Sequence, residues 1–131
     1  EILIGLVGSE MCIRDSQLFM HATRLDLDDY NNEGEQGLHI TSMPGSWLAI
    51  VRGFAGLQIV NDMLKIEPVL PEKWNSYSFK VNYSGSTLHI QVSKEIKIGL
   101  TAGNKLNIQV YQNVYELKQE GSLTIPLKDS F

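Results

Sequence analysis

The chain has 131 residues, of which 43% are hydrophobic and 20% charged, with a formal net charge of −4. That length holds one independent core, or one compact domain plus a piece of another, and the composition is that of an ordinary globular protein. The acidic balance and the lack of any Lys/Arg cluster exclude a general nucleic-acid binder and a reader of anionic membranes, and the single cysteine, Cys12, excludes an internal disulfide framework.

The opening run EILIGLVGSEMCIRDS has an apolar part, Ile2 to Val7, far shorter than the roughly 20 residues a membrane span needs. It also lacks the basic start and cleavage site of a secretory signal. The stretch LVGSEMCIRDS resembles translated sequencing-adapter read-through at the end of a contig. Residues 1–16 are therefore expected to be non-native, Cys12 to carry no information, and the reading frame to be truncated upstream.

Next, QLFMHATR (17–24) has helical composition and reads as the end of a longer helix. LDLDDYNNEGEQG is acidic and rich in Asn and Gly, the signature of a connecting loop. In SMPGSWLAIVRGFAG, the residues Trp47, Ile50, Val51 and Phe54 fall at i, i+3, i+4 and i+7, one apolar stripe of an amphipathic helix over 43–55. Ser42 is its expected N-cap, Pro44 is tolerated in the first turn, and Gly56 is the expected C-terminal stop. The stripe needs helical partners that this segment does not supply.

Beyond Gly56 the hydrophobic period changes from near 3.6 to 2. LQIV and MLKIEP flank a turn at Asn61-Asp62, and PVLPEKW is a proline-punctuated link with Trp74 packed at its end. YSFKVNY places Tyr77, Phe79, Val81 and Tyr83 on one face; Ser84-Gly85 turns the chain into TLHIQVS, with Leu88, Ile90 and Val92 inward. EIKIGL contributes Ile96, Ile98 and Leu100, Gly103-Asn104 turns into KLNIQVY, and VYELK and LTIPL complete the series. Short strands at nearly regular spacing, each with one apolar face, predict an antiparallel sandwich. The fold class is thus mixed: helices at residues 17–56, then a small β-sandwich at 57–131.

Chemistry-bearing residues are few. His21, His39 and His89 are scattered without a second ligand at metal spacing. His89 falls on the polar face of a strand and reads as a solvated surface residue. DLDDYNNEGE has the composition of a calcium loop, but counting from Asp26 it puts Asn31 where the EF-hand needs glycine and Gly37 where it needs glutamate. It reads as a solvated acidic loop. HITSMPGS remains. Its helix start offers backbone N–H groups, Thr41, Ser42 and Ser46 add hydroxyls, Gly45 permits close approach, and His39 can donate a hydrogen bond or a full charge. These ingredients suit a phosphate, although Ser/Thr caps are common and a nearby histidine usually packs.

The string LDLDDYNNEGEQGLHITSMPGSWLAIVRGFAGLQI, followed by LPEKWNSYSFKVNYSGSTLHIQVS, resembles the C-terminal end of glycoside hydrolase family 65. The likeness runs from about Gln17 to about Lys118, and through DLDDYNN, GLHITSM and LPEKW it leans to the maltose phosphorylase branch. The resemblance implies that residues 17–56 end a catalytic (α/α)6 barrel and that a C-terminal β-sandwich follows. It implies an inverting disaccharide phosphorylase, in which a glutamic acid protonates the leaving oxygen while inorganic phosphate attacks the opposite face. In such enzymes the loop matching GLHITSM contributes to the phosphate site. That makes His39 the first candidate here, Ser42 the next and Thr41 a third. The general acid is expected upstream, since Glu33 and Glu35 lie in the wrong motif, and the fragment alone is expected to be inactive.

The resemblance further implies a disaccharide and phosphate as partners, no cofactor or metal, a homodimer and a cytoplasmic location. Two alternatives stand beside it. A trehalase-like hydrolase of the same family would need a carboxylate base where His39 lies. A carbohydrate-binding or structural β module would expose a row of aromatics, whereas Tyr77, Phe79, Val81 and Tyr83 alternate as a core face.

Overall fold

A computed structural model of the chain describes residues 17–24 and 42–128. Residues 1–16, expected to be non-native, the acidic loop, and the candidate ligands His39 and Thr41 lie outside the described residues. The chain divides into two compact units, one ending at Ile50 and the other beginning at Val51.

In the first unit, residues 17–24 are helical (α1). The Thr23 hydroxyl donates back to the Phe19 carbonyl at 3.0 Å and lies 3.1 Å from that of Met20. This back-bonding suits a β-branched hydroxyl residue within a helix. A second helix, α2, spans Ser42–Leu48. Ser42 is its first helical residue and not the expected N-cap. Pro44 therefore sits third, still within the first turn where no intrahelical amide is required.

The expected single α-helix over 43–55 is not what forms. After Leu48 the chain becomes π-helical over Ala49–Phe54. Bonding from i to i+5 widens the turn and breaks a stripe spaced for 3.6 residues. Val51 and Phe54 are buried, but Trp47 remains 48% exposed.

Gly56 then ends the helical run with a φ of 59°. The Leu57 amide donates to the Val51 carbonyl at 3.0 Å. That closure reaches one residue further back than an ordinary Schellman cap, as the wider π turn requires. A Cβ at Gly56 would lie 3.0 Å from the Glu67 carbonyl oxygen, so both conformation and space demand glycine.

The β module contains eight strands: β1 Gln58–Val60, β2 Met63–Ile66, β3 Tyr77–Tyr83, β4 Ser86–Val92, β5 Glu95–Ala102, β6 Leu106–Val110, β7 Asn113–Leu117 and β8 Ser122–Pro126. They form two four-stranded sheets, ordered β1-β2-β6-β7 and β3-β4-β5-β8. Period-2 alternation gives each sheet one apolar face, and these faces make the core. Leu64, Ile66 and Ile108 from the first sheet and Leu88, Ile90, Val92, Ile96 and Ile98 from the second are all at most 1% exposed. Each such side chain contributes about 1.5–3 kcal/mol by leaving water.

Tight turns account for the hairpins. Asn61 and Asp62 take φ of 49° and 55°, and Ser84 and Gly85 take 50° and 74°. Left-handed backbone at both central residues is what a twisted hairpin needs. The expected antiparallel arrangement holds with one exception: β2 pairs with β6 in parallel, Leu64 opposite Ile108. The turn expected at Gly103-Asn104 is in fact where the chain leaves the second sheet for the first. There Gly103 has a φ of 101° and its backbone passes so near Ser86 that a Cβ would meet the Ser86 Cα at 2.6 Å. The buried Ser86 hydroxyl donates to the Asn104 carbonyl at 3.2 Å and fixes the crossing.

Candidate functional site

Among the expected phosphate ligands, only Ser42 falls within the described residues, at the start of α2. α2 has seven residues and no acidic group in its first turn. Gly45 has open space where a Cβ would stand. The hydroxyl residue Ser46 is half-buried one turn further on.

The other histidines are not brought together. His21 is exposed on α1, and His89 lies on β4 opposite Lys80 of β3. His89 is half-buried rather than fully solvated, because its outer row is shared with neighbouring strands. Among the described residues no group of three His, Cys, Asp or Glu side chains is placed to hold a metal ion. Among the described residues, Arg52, Leu57, Gln58 and Ile59 line an open cleft of about 520 Å³, and none of these four is a carboxylate or a histidine.

The aromatic row of β3 turns inward. Tyr77 and Phe79 are 8% and 7% exposed, so they pack and do not form a sugar platform. Their rings lie 6.5 Å apart and nearly parallel; Trp74 sits edge-on to Tyr77 at 6.0 Å and tilted against Phe54 at 5.0 Å.

Sequence reasoning took Tyr77 as one more core residue and missed its hydroxyl. That hydroxyl lies 2.9 Å from the Phe54 carbonyl and 3.0 Å from the Val69 carbonyl. A tyrosine at the most buried end of the row is the signal that was available, since a buried phenol is kept with a partner. Burial pushes the Tyr77 phenol far above the ordinary range, repulsion from Tyr111 adds to this, and the bond to Val69 opposes it. Tyr77 is therefore a neutral donor at any physiological pH.

With the two-sheet module and its link defined, residues 57–117 match the family model for the glycosyl hydrolase family 65 C-terminal domain. The β module is a family 65 C-terminal domain. The chain is 46% identical over 97 residues to a maltose phosphorylase from Bacillus subtilis (strain 168), covering 73% of this chain and 13% of that protein. It is 38% identical over 110 residues to an alpha,alpha-trehalose phosphorylase from Geobacillus stearothermophilus, covering 83% of this chain and 14% of that one. A solved structure, provisionally assigned as a kojibiose phosphorylase from the human microbiome, superposes with a TM-score of 0.78 at 40% identity, over 88% of this chain and 17% of its own. The chain thus spans about one-seventh of the length of the curated relatives it matches. These relatives carry three different sugar names, so the family 65 module by itself does not select a disaccharide. No helix among the described residues is long and apolar enough to cross a membrane.

Proposed function

We propose that the chain is the C-terminal part of an inverting disaccharide phosphorylase that cleaves an α-glucosyl disaccharide, maltose first among the candidates, with inorganic phosphate. The observation that carries this reading is the 46% identity to a maltose phosphorylase across 73% of the chain, more than its 38% identity to a trehalose phosphorylase. In the proposed reaction a phosphate oxygen attacks the anomeric carbon as the glycosidic C–O bond breaks. The leaving oxygen takes a proton from a glutamic acid that this chain does not supply. The products are glucose 1-phosphate and glucose, with the anomeric centre inverted.

Phosphate is its own nucleophile, so the protein's task is to seat it and offset its charge. In this reading His39 supplies a charged or neutral donor, Ser42 a hydroxyl or backbone amide at the start of α2, and Thr41 a further donor. Because α2 is only seven residues long, side chains and individual amides matter more than its macrodipole. The full-length protein is proposed to need no metal or organic cofactor, and to work as a cytoplasmic dimer.

The test is cleavage of maltose, trehalose and kojibiose by the full-length protein with and without phosphate, repeated with His39→Ala. Phosphate-dependent release of glucose from maltose is expected, and His39→Ala should raise the KM for phosphate on the order of tenfold or more while changing that for sugar less. Cleavage that proceeds without phosphate would support a trehalase-like hydrolase instead.

A further inference from the structure

We draw no further inference here: the strongest candidate, the open edge of the β module at β1, where Ile59 stands opposite the buried Leu64 yet is 61% exposed, carries nothing because nothing in the structure shows what covers it.

Discussion

The two sheets of the β module are built in different ways. β3, β4 and β5 follow one another along the chain as strands of seven to eight residues, paired edge to edge, and β8 adds to β5. The other sheet consists of two short hairpins, β1–β2 and β6–β7, joined by the parallel β2–β6 ladder. Its edges are correspondingly open: Ile59 is 61% exposed, Val60 42% and Val114 55%. The inner rows are alike in chemistry, but one layer is continuous and the other is pinned together. Tyr111 is the main pin. It takes a left-handed φ of 54°, uncommon for a bulky residue, while its amide donates to the Ile66 carbonyl at 2.9 Å. Its hydroxyl donates to Pro68 and accepts from the Lys128 amide, and the Lys128 ammonium stands 4.7 Å from the ring centroid.

The contrast can be broken or sharpened by substitution. The largest effect is expected from Ile98→Ala in the continuous sheet, about 3–4 kcal/mol in urea unfolding, with Ile108→Ala in the pinned sheet nearer 2–3 kcal/mol because shorter strands relax over the gap. Equal losses would mean that the two layers are equally rigid.

Tyr111→Phe comes next, at about 1 kcal/mol near neutral pH. It also tests a pH effect. Burial raises the Tyr111 phenol above its ordinary value of 10.0, with Glu67 adding to the rise and the Lys128 amide opposing it. The folded state then keeps a proton that the unfolded state loses, so stability is full below about pH 10 and falls as pH rises above it. Tyr77 behaves likewise, so Tyr111→Phe should reduce this alkaline decline without abolishing it. An unaltered decline in the variant would remove Tyr111 as a cause.

The smallest effect is reserved for the open edge. Ile59→Lys should change unfolding free energy by no more than about 0.5 kcal/mol. A loss well above 1 kcal/mol would show that the edge is covered in solution and that the pinned sheet is less open than described.

Much of the continuous sheet was legible because alternation marks which side chains face inward: Leu88, Ile90 and Val92, then Ile96, Ile98 and Leu100, are buried as their period implies. The turns at Asn61-Asp62 and Ser84-Gly85 were legible for a similar local reason. Alternation does not name a strand's neighbour, however. It gave no sign that Gly103-Asn104 crosses between layers or that Leu64 pairs with Ile108 in parallel. The π turn was hidden as well, since propensity reads a helix but not the carbonyl partners that widen its end. Ser42 was placed within one position of where the helix starts, while the Tyr77 hydroxyl's bond to the Phe54 carbonyl spans 23 positions and no local pattern announces it.

The parallel ladder also carries an entropic consequence. Bringing Leu64 to Ile108 confines a loop of 44 positions. Loop entropy grows as (3/2)RT ln n, so this closure costs about 2 kcal/mol more than closing a tight hairpin. The continuous sheet can gather its native contacts from neighbouring segments, whereas the pinned sheet gains nothing from β2 until β6 has been brought back to it. Contact order therefore assigns nucleation to β3–β5 and leaves the β2–β6 seam, the join that makes one module of two hairpins, among the last native contacts to become favourable.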